Sequence, residues 1–197
     1  LAKKHKLTKN FSKDTLLDRG IMKNLNYCWR CGDSLEKKMD EGRERYYCGR
    51  CKKFVYRNAV PVAGVFVVKD ENKVLLIKRR GEPHKGKWSY PAGYLEYDEK
   101  PETGAVRELE EETGVKASEQ YLELVATLQL EHPDKYIVGN AYATNHEYTT
   151  GEVKPGDDAE DAKFWTIEEM KENVAEMESE KIIGAARKAI RLVGRSS

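Results

Sequence analysis

Residues 93–115 read GYLEYDEKPETGAVRELEEETGV, and the rest of the chain is arranged around what this stretch does. Pro101 fixes φ for a first helical turn and needs no N–H partner there, while Gly114 suits the residue just past a helix end. The segment therefore predicts a helix over 101–113. On that helix Glu108, Glu111 and Glu112 stand at i, i+3 and i+4, which puts three carboxylates on one face. Ala105, Val106 and Leu109 project to an adjoining apolar face able to dock on a sheet. Like charges at those spacings repel unless cations sit among them. An oxygen-only ligand set of this kind selects Mg²⁺ or Mn²⁺. The plainer alternative is a solvated acidic surface, in a chain that is 35% charged.

Outward from the helix the pattern is mostly β. Upstream, 62–68 and 73–78 are β-branched runs separated by Asp70, Glu71 and Asn72, a hairpin signal. A Gly-, Pro- and Lys-rich loop follows at 80–87, then an extended stretch at 88–94. Downstream, strands are expected at 121–130 and 135–143, joined by the turn residues His132, Pro133 and Asp134. A polar loop at 151–161 leads to a short strand at 162–166. A last helix is expected over 176–193, where Ile182, Ile183, Ala186, Ile190 and Val193 recur at helical spacing. Hairpin-length connections make this an α/β chain with a mixed or antiparallel sheet.

The segment before the first long strand is of another kind. Cys28-Trp29-Arg30-Cys31 and Cys48-Gly49-Arg50-Cys51 are two C-x2-C pairs separated by sixteen residues. Four soft thiolates in a tetrahedron suit Zn²⁺, and four protein ligands leave no open position for catalysis, so the expected role is structural. Two disulfides would need an oxidising compartment that nothing in the sequence indicates.

Charge divides along the same line. The total is +1, but residues 1–57 carry 16 basic and 7 acidic side chains, a net of +9, and residues 58–197 carry −8. The basic front, with Trp29, Tyr46 and Tyr47 among its cations, leaves contact with RNA as one reading and a solvated scaffold surface as the other. No apolar run approaches the roughly 18 residues of a membrane span. Asp14 and Asp18 sit where a targeting leader would be apolar, so the expected location is cytoplasmic, away from any membrane.

The 93–115 pattern resembles the Nudix hydrolase box, G-x5-E-x7-R-E-U-x-E-E-x-G-U. Gly93, Glu99, Arg107, Glu108, Leu109, Glu111, Glu112, Gly114 and Val115 meet its nine specified positions. The resemblance implies an α/β/α sandwich around a mixed sheet over 58–197, preceded by a zinc ribbon over 27–57 and a basic arm over 1–26. It implies that the Gly93 carbonyl with Glu108, Glu111 and Glu112 holds catalytic Mg²⁺ or Mn²⁺, and that Glu99 and Arg107 form an internal ion pair. The general base would be Glu108 or a carboxylate of the loop Asp157, Asp158, Glu160 and Asp161, with Asp158 and Glu160 the candidates there. A homodimer is implied as well.

A ribbon followed by such a domain is similar to the NADH, FAD and ADP-ribose pyrophosphatase group. The expected activity is hydrolysis of a nucleoside diphosphate linked to another moiety, releasing a nucleoside monophosphate from a nucleotide or dinucleotide. Residues 126–134 read ATLQLEHPD, where the NADH group carries S-Q-P-W-P-F-P-x-S. Two other readings stand beside it: a nucleic-acid-binding regulator with a Nudix sensing domain, and a hydrolase of dinucleotide-capped RNA.

Overall fold

The computed structural model describes residues 25–131 and 135–194. Residues 1–24 of the basic arm and the turn at 132–134 lie outside the described residues. The chain divides into two compact units: described residues 25–58 and 135 fall in the first, and 59–131 and 136–194 in the second.

In the first unit β1 (Leu35–Asp40), β2 (Arg43–Cys48) and β3 (Lys53–Val55) form a three-stranded antiparallel sheet in sequence order. Glu41 and Gly42 close the first hairpin, both at positive φ. Cys28 and Cys48 are the only fully buried apolar side chains among the described residues of this unit. An apolar core of that size cannot by itself offset the entropy of ordering the segment.

The second unit is built on β4 (Val60–Lys69) and β5 (Lys73–Arg79), the hairpin expected from the sequence, with Asp70 and Glu71 at positive φ in its turn. Short strands β6 (Trp88–Ser89) and β7 (Ala92–Tyr94) follow, then α1 (Pro101–Thr113) and β8 (Lys116–Ala117). The remaining strands are β9 (Glu123–Glu131), β10 (Tyr136–Asn145), β11 (Thr149–Thr150) and β12 (Ala159–Thr166); α2 (Ile167–Glu172) and α3 (Lys181–Val193) close the chain. The main sheet runs β12-β5-β4-β10-β9, with β6 on β5 and β7 on β4. Its β4 and β10 pair in parallel while the other pairs are antiparallel, so the sheet is mixed.

Alternation along β4 explains the layers. Ala63, Val65 and Val67 face one way, where they join Leu75, Ala105, Leu109 and Val115 under α1. Phe66 and Val68 face the other way, joining Val74, Leu76, Trp88, Ile182, Ala186 and Ala189 under α2 and α3. A strand covered on both faces must be apolar throughout, which is why 62–68 contains no charge. Each fully buried Leu, Val or Phe contributes roughly 1.5–3 kcal/mol, so α1 is held by its Ala105 and Leu109 side and not by its charged one.

Several elements differ from the sequence expectation: β9 begins at Glu123 and not at 121, β10 runs on to Asn145, and helix α2 is an addition to it. The penultimate helix α2 begins at a capping box in which Thr166 accepts from the Glu169 N–H and the Glu169 side chain accepts from the Thr166 N–H. The last helix starts at Lys181, not at 176, because a 3-10 turn at Val174–Glu176 and a bridge from Met177 to Trp88 intervene. The last strand begins at Ala159, three residues early, with a register shift between Ala159 and Asp161.

Candidate active site and four-cysteine cluster

The carboxylate site rests on β7, the loop after it and α1. Helix α1 starts with Pro101 and stops at Gly114, whose φ of 70° places it in the left-handed region while its N–H donates to Glu110 O at 2.8 Å. Arg107 organises the polar face. Its Nε and Nη2 donate to Glu99 Oε1 and Oε2 at 2.8 and 2.9 Å, and Nη2 also reaches Tyr94 O at 3.0 Å. Its Nη1 donates to Glu108 Oε1 at 2.8 Å and Glu111 Oε2 at 2.9 Å. The guanidinium thus ties the loop to the helix and spaces two of the three helix carboxylates. Beside it, the Glu99 carboxyl is held below the usual carboxylate range.

Glu112 turns inward, accepts from the Ala92 N–H at 2.9 Å, and is buried. Burial pushes its carboxyl up to about 8, opposed by the Ala92 N–H and Arg79 and reinforced by Glu108 and Asp158. Burial also raises Glu108, against the pull of Arg107. Glu111 is exposed. The three carboxylates do not converge: among the described residues, the only set of three or more potential ligands within 4.8 Å of one another is the cysteine cluster. The donor set nevertheless fits a hard divalent cation, since its carboxylates are oxygen ligands and burial raises the proton affinity of Glu108 and Glu112, a cost to the charged form that a cation would offset.

Gly93 has a specific reason to be glycine. A Cβ there would stand 2.2 Å from the Glu108 carboxyl carbon and oxygen, so the carboxylate lies directly against the β7 backbone. Gly93→Ala should therefore push Glu108 aside, a flexible end that can move without unfolding the chain. We expect unchanged circular dichroism and hydrolysis reduced on the order of 10²-fold, the cost of displacing a positioned group by about 1 Å. Undiminished activity would count against a role for Glu108.

Of the loop carboxylates, Asp158 is exposed but its charge acts on Glu112. Glu160, exposed within the β12 irregularity, is not among the main influences on Glu112. The loop itself is fixed by a residue the sequence reading passed over. Arg80 donates through its N–H to Asp158 O at 3.0 Å, through Nη1 to Asp157 O at 2.7 Å and through Nη2 to Ala159 O at 2.8 Å. From the other side, the Lys154 and Gly156 N–H groups donate to Thr113 O and Glu112 O at the end of α1. Arg79, whose charge acts on Glu112, was likewise missed. The visible signal was an arginine pair at a strand end before a glycine-rich loop.

In the first unit Cys28, Cys31, Cys48 and Cys51 bring their four sulfurs within 4.8 Å of one another, and all four are free thiols. The Cys28–Cys51 and Cys31–Cys48 Sγ distances are 3.9 and 3.6 Å. Zn–S bonds of about 2.3 Å in a tetrahedron require sulfur separations of about 3.8 Å, so the cluster can hold zinc. The Arg30 N–H draws the Cys28 thiol down to about 7, whereas the Cys31 thiol and burial push Cys51 up to about 12. One thiolate is favoured near neutrality and the full set needs a cation.

A mixed sheet between helices, with an acidic loop-helix-loop following β7, defines an α/β/α sandwich. The family model described as NUDIX domain matches residues 58–184, and the chain belongs to that family. An ADP-ribose pyrophosphatase of Methanocaldococcus jannaschii is 35% identical over 109 residues, 55% of this chain and 62% of that protein. A NAD-capped RNA hydrolase, NudC, of Stutzerimonas stutzeri is 28% identical over 153 residues, 73% of this chain and 49% of that protein. Putative nudix hydrolase 1 of Caenorhabditis elegans is 29% identical over 177 residues, 86% of this chain and 46% of that protein. The chain thus spans about half the length of the curated relatives it matches. Among solved structures, a NUDIX hydrolase from Nitrosomonas europaea superposes with a TM-score of 0.68 at 26% identity, covering 85% of this chain and 91% of that one. No described helix is long and apolar enough to cross a membrane.

Proposed function

We propose that this protein is a divalent-metal-dependent pyrophosphatase that hydrolyses a nucleoside diphosphate linked to another moiety, with ADP-ribose the preferred member of the class. The observation that carries this reading is the Arg107 network, which gathers Glu99, Glu108 and Glu111 around one guanidinium beside the buried Glu112. The 35% identity to an ADP-ribose pyrophosphatase supports the substrate.

In this reading Gly93, Glu108, Glu111 and Glu112 hold the cation, Mg²⁺ or Mn²⁺. When bound, it neutralises diphosphate oxygens and lowers the pKa of the attacking water. The chain's own residues do the rest. Glu99 keeps the Arg107 charge engaged, so that Glu108 and Glu111 stay spaced on one face. The proton of the attacking water is assigned to Glu108, whose burial raises its proton affinity. Asp158 and Glu160 are its rivals, and the pH–rate profiles of the single amide variants separate the three. The four cysteines hold a structural zinc.

The deciding experiment is a panel of ADP-ribose, FAD, NADH, diadenosine polyphosphates, nucleoside triphosphates and NAD-capped RNA, each with Mg²⁺ and Mn²⁺. ADP-ribose should give AMP and ribose 5-phosphate with the highest kcat/KM. The NudC relatives favour a second reading, cleavage of the capped RNA. A preference for that substrate would replace the first reading with the second.

A further inference from the structure

The four-cysteine unit contains a cleft for which the carboxylate chemistry has no use. It measures about 380 Å³, and Trp29, Arg30, Lys53, Phe54, Val55 and Tyr56 line it beside the sulfur cluster. No carboxylate lines it. Trp29 is 75% exposed and Tyr56 56%, a large outlay of aromatic surface to water in so small a unit.

These walls are braced. Trp29 lies between two cysteines of the cluster, with the Arg30 guanidinium 4.7 Å from its ring. Tyr56 carries the Arg45 guanidinium 4.9 Å from its ring and donates to Asp40 Oδ2 at 3.4 Å. Phe54 meets Tyr47 edge-on at 5.0 Å. Arg45 is neutralised by Asp40 at 3.0 Å, Lys37 by Glu44 and Lys38 by Glu36. Arg30 and Lys53, the two cations of the cleft, make no ion pair among the described residues. Positive charge is therefore left available beside the flat apolar surface, while Lys37, Lys38 and Arg45 of the sheet are paired.

We propose that this cleft binds single-stranded nucleic acid, with bases stacked on Trp29 and Tyr56 and backbone phosphates at Arg30 and Lys53. Every base offers a π-face, and exposed aromatic rings flanked by cations without ion pairs match the alternation of base and phosphate along a strand. An acidic peptide would use the cations but leave the aromatic walls idle. The inference does not depend on which dinucleotide the second unit hydrolyses.

The test is fluorescence anisotropy of a short labelled single strand of mixed sequence with the zinc-loaded full chain. Binding is expected at low salt, weakening as salt rises with a log–log slope of about −0.7 per phosphate contact. Trp29→Ala and Tyr56→Ala should each weaken binding about tenfold, the usual loss for one stacking platform. Lys53→Gln, at an exposed side chain without an ion pair, should reduce the salt slope by about 0.7. Zinc content and ADP-ribose hydrolysis should stay at the parent level in Lys53→Gln, which keeps the test readable should an aromatic variant lose metal. No binding by the intact chain overturns the proposal, as does parent-like binding by all three variants. Equal competition by AMP at the same concentration of nucleotide overturns it too, by assigning the cleft to a mononucleotide. Loss of hydrolysis with strand binding intact would instead count against the pyrophosphatase reading alone.

Discussion

Replacing Glu111 and Glu112 together by glutamine should lower Mg²⁺-dependent hydrolysis of ADP-ribose by about 10³-fold or more. That is the rate equivalent of losing several kcal/mol of charge stabilisation by the cation at the diphosphate. The double variant should fold, for a reason specific to each position. Glu111 is exposed, so its amide meets water. Glu112 is buried and accepts a single bond from the Ala92 N–H, which an amide oxygen also accepts. Parent-level turnover of every dinucleotide tested would sink the assignment of this helix to the metal.

The same residue gives a pH dependence whose sign follows from its direction. Glu112 titrates near 8 in the folded chain and in the usual carboxylate range when unfolded, so between those values the folded state binds the extra proton. Its contribution to stability is therefore present below the unfolded pKa and lost as pH rises towards about 8. Thermal unfolding in Mg²⁺-free buffer should show this loss in the parent and not in Glu112→Gln. The buffer must contain no chelator, because the cysteine cluster would respond as well. Excess Mg²⁺ should flatten the parent's slope, since a ligand bound only by the folded state stabilises it.

How much of this was legible in the sequence depended on whether a signal was local. The helix over 101–113 was readable because Pro101 and Gly114 act within one turn of themselves, and the hairpin at 70–72 because its strands are contiguous. The pairing of β4 with β10 was not, since a parallel register joins Val62 to Gly139 across 77 positions and leaves no mark in either strand alone. Helix α2 was readable and passed over: Thr166 and Glu169 are the S/T-x-x-E signature of a capping box. In the site, fixed spacing pointed to Glu99, Arg107 and the helix glutamates. It could not show that Arg107 stands between Glu108 and Glu111, or that Glu112 faces inward, because burial is a property of the packed sheet. The clamp of Arg80 on 157–159 was equally hidden, as its partners are main-chain carbonyls and any sequence supplies those.

Removing the zinc proposed for the cysteine cluster should unfold the first unit and leave the second folded. The described part of the first unit buries only two apolar side chains fully, Cys28 and Cys48, and both are members of the cluster. In its sheet of three short strands only Cys48 is buried and the other side chains are half-buried or exposed, so the strands have little apolar surface to hold them together. Zinc bound by four thiolates contributes on the order of 10–16 kcal/mol of apparent free energy, more than such a unit can draw from burial. The second unit has two packed faces under α1 and under α2 with α3, and needs none of this. Cys48→Ser, or a chelator of zinc, should therefore abolish amide protection over 25–58 in hydrogen exchange. Protection along β4, β5 and β10 should stay at the parent level. A first unit that remains protected after quantitative loss of zinc would show that the cluster is not what holds it. Full unfolding of both units would show that the second draws its stability from the first. Acid should act in the same direction as the chelator: with Cys51 held near 12 in the metal-free state, zinc binding must displace protons, so the apparent affinity falls as pH falls.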